Sequence, residues 1–275
     1  MRNNRSKNAV GVDIMTNFAL IDGKKIAYDD LGEGTPVIFI HPPGMGRKVF
    51  YYQRKLSDHM RVIFPDLSGH GESSRINAKE VSIDYYSKEL VAFLDQLKVT
   101  RAIFCGYSAG GAIAQYISIH FPDRVEGLIL SGGYPAVLNK SLRWEHHAGM
   151  YMVKKHKKLL SRILAISHTK NEDLRNILFL HMNKAQKDVW YNYYKMVLHM
   201  NLIHQLNNIN VPSLLMYGTK SDLINKYAEF FKKKLKRQHR IVFFKQSTHQ
   251  LPTRRWRHVN DEIIQYVQKL ETAPK

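Results

Sequence analysis

Ala102-Ile103-Phe104-Cys105-Gly106-Tyr107-Ser108-Ala109-Gly110-Gly111-Ala112-Ile113 carries the signals that decide the fold. Its first four residues form a short apolar run with no polar alternation, the pattern of a strand buried on both faces. From Ala109 to His120 the chain reads as a helix. Between the two lies Gly106-Tyr107-Ser108-Ala109-Gly110, a Gly-x-Ser-x-Gly pentapeptide. Alone that pattern is weak. With a strand directly before it and a helix directly after, it reads as a sharp turn that lifts a serine oxygen out of the backbone. Glycines two before and two after the serine remove side chains that would collide in so tight a turn.

Working outward, similar apolar runs recur at Val37–Ile40, Val62–Phe64, Leu128–Leu130, Leu214–Tyr217 and Ile241–Phe244. Phe18–Ile21 and Lys25–Tyr28 flank Asp22-Gly23, a pair suited to the tight turn of a hairpin. Asp84–Leu97 has apolar residues near helical period. Strands alternating with helices predict an α/β layered fold with a mostly parallel sheet. The alternation stops between 134 and 210, where helical segments rich in aromatics and methionine replace it. This predicts a core of residues 1–133 and 211–275 with a helical lid inserted at 134–210. Those aromatics and methionines either wall an apolar site or pack the lid onto the core, and packing is expected for most.

The helix after Ser108 has a chemical use. Its first amides lack partners within the helix and favour negative charge, so the Ala109 N–H is a candidate oxyanion donor. Together these segments resemble the α/β-hydrolase superfamily in its lid-bearing, serine-dependent branch, over about Phe18 to Leu270. Four segments match in order. Ile40-His41-Pro42-Pro43-Gly44 is similar to the family's His-Gly oxyanion loop. Pro65-Asp66-Leu67-Ser68-Gly69-His70-Gly71-Glu72-Ser73 is similar to its Asp-x-x-Gly-x-Gly-x-Ser turn. The elbow at Ser108 is the third, and Tyr217-Gly218-Thr219-Lys220-Ser221-Asp222 the fourth. The resemblance implies a triad of Ser108 as nucleophile, Asp222 as acid and His249, just past the last strand, as base. The earlier strand ending in Ser131-Gly132-Gly133-Tyr134 offers no carboxylate, which favours Asp222. Asp66 and Asp123 read as turn and helix-end residues.

One departure stands out. In relatives the second oxyanion donor often lies two residues after the loop histidine. That position is Pro43, which has no N–H. Either Gly44 or Met45 supplies the second amide or the hole has one backbone donor, and losing one donor costs on the order of 10²–10³ in rate. Tyr107 and Met45 are further candidates for the substrate pocket.

The chemistry implied is cleavage of a carboxylic ester through an acyl-enzyme, as in a carboxylesterase or lipase. A thioesterase, carbon–carbon bond hydrolase or perhydrolase would use the same triad, and a ligand sensor with slow turnover would keep the same fold. Activity is expected to rise with pH as the imidazole loses its proton. No cofactor is required. No metal site is expected, since adjacent His146 and His147 point apart on a helix, and no phosphate or dinucleotide loop is present.

The chain carries 42 Lys and Arg against 23 Asp and Glu, a net charge of +19. Clusters lie at 154–158, 232–237 and 254–257. No nucleic-acid motif accompanies them, so no nucleic-acid partner is expected. A soluble basic surface is one reading, and weak association with anionic membranes is another, because residues 142–164 mix Trp144, Met150 and Tyr151 with lysines. An apolar lid favours a greasy uncharged small-molecule ester, whereas the charge favours an anionic one. A single cysteine, Cys105, rules out an internal disulfide. The basic N-terminus lacks the apolar core of a secretory signal, and no run reaches the roughly 18–20 apolar residues that span a bilayer. A cytoplasmic enzyme, monomeric or a small homo-oligomer, is the expectation.

Overall fold

The computed structural model describes residues 16–220 and 223–272. The elbow strand sits in the middle of an eight-stranded sheet ordered β1-β2-β4-β3-β5-β6-β7-β8. These strands are β1 (Asn17–Ile21), β2 (Lys24–Leu31), β3 (Pro36–Ile40), β4 (Arg61–Pro65), β5 (Ala102–Tyr107), β6 (Val125–Ser131), β7 (Ser213–Gly218) and β8 (His239–Phe244). Each predicted apolar run is one of them. β1 and β2 form the expected hairpin, with Asp22 and Gly23 both at positive φ as the tight turn requires. β2 also pairs antiparallel with β4, and every other pairing is parallel.

The continuous apolar strands are explained by cover on both faces. Ile38, Ile40 and Phe104 point to one face, where they meet Leu90 and Phe93 of helix α1 (Ile83–Gln96) and Ile113 and Ile117 of α2 (Gly110–His120). Val37, Phe39, Ile103 and Cys105 point to the other, against Val259, Ile263 and Val267 of the C-terminal helix Trp256–Glu271. The period of two along each strand sends alternate residues to the two cores.

Between β6 and β7 the chain leaves the sheet and forms α3 (Lys140–His168), α4 (Glu172–Lys184) and α5 (Lys187–His199). Asn139 and Asn171 cap the first two, accepting from the amides of Leu142 and Leu174. α3 runs 29 residues but breaks at His156, whose φ of −138° and ψ of 43° are not helical. α5 is tied to the sheet by Gln186. Its amide nitrogen donates to the Gly69 carbonyl at 2.8 Å, and its side chain pairs with both backbone groups of Ile76. The remaining helices are α6 (Ala228–Lys234), α7 (Leu251–Arg254) and α8, the C-terminal helix above.

Candidate active site

Two residues, Ser108 and Ala109, join β5 to α2, and Ser108 has a φ of 52°, a left-handed conformation that non-glycine residues rarely hold. Its amide donates to the Ser131 carbonyl at 2.8 Å, fixing the turn to the end of β6. The flanking glycines are required by space. A Cβ at Gly106 would lie 2.4 Å from Gly111 Cα, and one at Gly110 would lie 2.2 Å from the Ile40 carbonyl oxygen.

His249 follows β8 and reaches across the ends of two strands. Its Nε2 lies 2.8 Å from Ser108 Oγ. It can come so close because the neighbouring residue is Gly132, where a Cβ would stand 2.5 Å from the imidazole. Asp222 lies outside the described residues.

Ser108 and His249 open on a cavity of about 300 Å³ at the carboxyl ends of the strands. Pro42, Pro43 and Met45 form one wall, and Tyr107 and Ala109 flank the serine. Ala109's amide makes no hydrogen bond among the described residues, so it is free to meet a ligand oxygen. Gly44 stands apart from the wall. It packs on Trp190, whose ring a Cβ there would overlap, and it does not line the cavity. Met45's amide closes a turn on the Pro42 carbonyl at 3.3 Å.

The opposite wall comes from the helical insertion and holds two matching pairs that the sequence did not signal. His168 Nδ1 lies 2.8 Å from the Leu164 carbonyl, and its Nε2 lies 3.1 Å from the Tyr107 hydroxyl. A carbonyl can only accept, so Nδ1 carries the proton, Nε2 accepts, and Tyr107 donates. His146 repeats the arrangement with the Leu142 carbonyl at 2.8 Å and the Tyr134 hydroxyl at 3.0 Å. Both imidazoles are neutral: burial pushes His168 down to about 4 and also lowers His146. The two pairs fasten the two ends of α3 to the ends of β5 and β6. Among the described aromatics and methionines of the insertion, Tyr134 and Tyr194 line this cavity, whereas Met182, Trp190 and Tyr193 are wholly buried packing.

No lysine or arginine lines the cavity among the described residues, and Glu145 is its one acidic neighbour. The net charge of the chain thus stays outside the site.

Beneath the loops lies a second polar assembly. The buried Arg47 guanidinium bonds Asp66, Asp29 at 2.9 Å, Glu72 at 2.5 Å and Thr16 at 2.8 Å. Asp66 also meets His181 of α4 at 2.9 Å. Burial opposes ionisation of Asp66, but His181 and Arg47 outweigh it and hold the carboxyl far below its ordinary range. Asp66, Glu72 and His181 have the composition of a metal site, but Arg47 and Lys184 already neutralise their charge. His41, buried and pushed down to about 4 by that burial, bridges the loops by accepting from the Leu67 amide at 3.0 Å. Cys105 is buried in β5, and burial pushes its thiol up, leaving it protonated and inert.

The profile of the alpha/beta hydrolase fold matches residues 35–172. The chain belongs to that family. Among curated relatives it is similar to a 2-hydroxy-6-oxo-2,4-heptadienoate hydrolase of Pseudomonas putida, 34% identical over 119 residues, 42% of this chain and 43% of that one. It is also similar to a 3-oxoadipate enol-lactonase of Acinetobacter baylyi, 30% identical over 124 residues, 44% of this chain and 46% of that one. The matched stretch thus spans less than half of these relatives' length. Among solved structures, an esterase from Exiguobacterium antarcticum superposes with a TM-score of 0.82 at 23% identity, covering 92% of this chain and all of that one. An enol-lactonase from Burkholderia xenovorans gives 0.80 at 17%, with the same coverage. At such identities the likeness is one of fold.

Proposed function

We propose that this family member is a serine hydrolase of small, uncharged carboxylic esters, with Ser108 as nucleophile, His249 as base and Asp222 orienting the base. The observation that carries the reading is Ser108 Oγ, held at positive φ, 2.8 Å from His249 Nε2 at the edge of the cavity. Asp222 enters by its position after β7.

Ser108 Oγ attacks the ester carbonyl as its proton passes to His249 Nε2. Asp222 holds the imidazole tautomer and stabilises its charged form. The developing oxyanion meets the Ala109 amide at the start of α2. His249 returns the proton to the departing alcohol. It then takes one from water, whose oxygen attacks the acyl–Ser108 carbonyl; the acyl–Oγ bond breaks, His249 passes that proton to Ser108 Oγ, and the acid leaves. Helices α3 to α5 act as the lid that keeps bulk water from the acyl-enzyme. With prolines at positions 42 and 43 and Met45's amide engaged, the oxyanion rests mainly on one backbone donor, which favours reactive esters over amides.

Several relatives are named for carboxylate-bearing compounds. Among the described residues the cavity has no lysine or arginine and one glutamate, which repels such groups and supports neutral esters over the compounds those relatives are named for. The volume suits a short acyl chain. The test is turnover of p-nitrophenyl esters from acetate to decanoate by the wild type and Ser108→Ala. Short-chain esters are expected to turn over, with kcat/KM falling at least about 10⁴-fold in the variant. An unchanged rate in a folded Ser108→Ala protein overturns the assignment.

A further inference from the structure

The outer side of α3 carries features that walling a cavity does not require. Leu142, His146, Leu164 and His168 face inward to the cavity. Facing out are Trp144, Tyr151, Leu159, Ile163 and Ile166, all exposed, with Leu138 exposed just before the helix. Large apolar side chains so placed lose free energy to water unless something covers them.

The same helix contains seven Lys and Arg and a single acid, Glu145, in 29 residues. Lys157 turns inward and bonds the carbonyls of Asn183 and Ala185. Arg143 bonds the Val137 carbonyl at 3.3 Å, and Lys154 and Arg162 lie over the rings of Tyr191 and Phe179. Lys140, Lys155 and Lys158 stand beside the exposed apolar residues. At the far end the Arg254 guanidinium bonds the carbonyls of Ile166 and Ser167, bringing the 254–257 cluster to the same edge.

We propose that the outer face of α3 docks the protein on an anionic lipid surface. Cations interleaved with aromatic and branched aliphatic side chains suit a bilayer interface. The apolar groups sink beneath the headgroups while lysines and arginines meet phosphates. Nucleic acid is disfavoured as occupant because Leu159, Ile163 and Ile166 gain nothing against a phosphate backbone. Attachment is to the surface only, since no helix among the described residues is long and apolar enough to cross a membrane. The inner face of the docked helix is the cavity wall, so the bilayer lies one helix away from Ser108.

The test is sedimentation of the full chain with vesicles of phosphatidylcholine alone or mixed with phosphatidylglycerol, at low and high salt. Binding is expected with the mixed vesicles and lost with neutral ones or in high salt. Lys155→Glu/Lys158→Glu is expected to weaken binding more than tenfold, at about fivefold for each cation lost. Trp144→Ser is expected to weaken it several-fold. Both variants should keep wild-type turnover of a soluble ester, because these side chains lie outside the cavity. Of the three tryptophans Trp144 is 73% exposed, Trp190 is buried and Trp256 is half-buried, so vesicles should shift the fluorescence to the blue, with most of the shift lost in Trp144→Ser. No binding to mixed vesicles overturns the proposal. So does binding that both variants leave unchanged, or an equal affinity for single-stranded RNA weakened by the same substitutions.

Discussion

The floor and the roof of the cavity are built by different means. The floor is set by backbone geometry. Ser108 stands where a strand ends and a helix begins, its amide bonded to Ser131, its neighbours reduced to glycine, and His249 laid over Gly132. The roof is set by side chains that reach from the helical insertion to the loops: His168 to Tyr107, His146 to Tyr134, and His181 to Asp66. A floor of this kind tolerates almost no change in the main chain. A roof of this kind can be detached one polar contact at a time.

The sharpest test of that contrast is Arg47→Met. It strips the charge partner from buried Asp29 and Asp66 beneath the roof, and the expected loss is about 3–5 kcal/mol in urea unfolding. A loss under about 1 kcal/mol would mean that the roof is held by apolar packing, and the comparison would fail.

A smaller effect belongs to the floor side. Glu89 of α1 accepts from the Ser68 amide, and burial pushes its carboxyl up to about 7. An acid whose pKa rises on folding binds its proton more tightly in the folded state. Stability is therefore greatest below about pH 4.5 and declines as pH climbs towards 7. Glu89→Gln keeps the acceptor and removes the charge. It is expected to abolish that decline and to raise stability at about pH 8 by on the order of 2 kcal/mol, with little change at about pH 4.5. Thermal melts across this range decide it. Equal gains at both ends would show that ionisation is not the cause.

The smallest effect returns to the roof. Tyr134→Phe leaves His146 Nε2 without its donor and is expected to cost about 1–2 kcal/mol. KM for the longer p-nitrophenyl esters should change with it, and kcat for the acetate should not. A fall in kcat for every chain length would instead mean that the pair supports the floor.

The same contrast explains what could be read in advance. β3 to β7 were legible because burial on both faces leaves unbroken apolar runs, and Asp22-Gly23 announces the turn between β1 and β2; β8 keeps an apolar run although it is only half-covered at the sheet edge. Ser108 and His249 were legible because their positions follow strand ends. Asp222 rests on the sequence alone. Tyr134 and His146 were hidden because their hydrogen bond joins a strand end to a helix whose path the sequence does not fix. Nothing in the sequence distinguishes Arg47 from the other cations of a basic chain, yet it is the centre of a buried network. Gly44 was considered as an oxyanion donor from spacing, and its close packing on Trp190 could not be read there. The +19 charge suggested anionic substrates, and among the described residues no lysine or arginine lines the cavity.

The left-handed geometry of Ser108 also has a history written into it. An L-residue in that conformation costs about 1–2 kcal/mol, and glycine would relieve nearly all of it. Selection for sturdiness alone would thus push this position towards glycine and silence the chemistry. On the proposed function, a lineage that stopped using the site would have a downhill mutational path at hand, from the serine towards glycine.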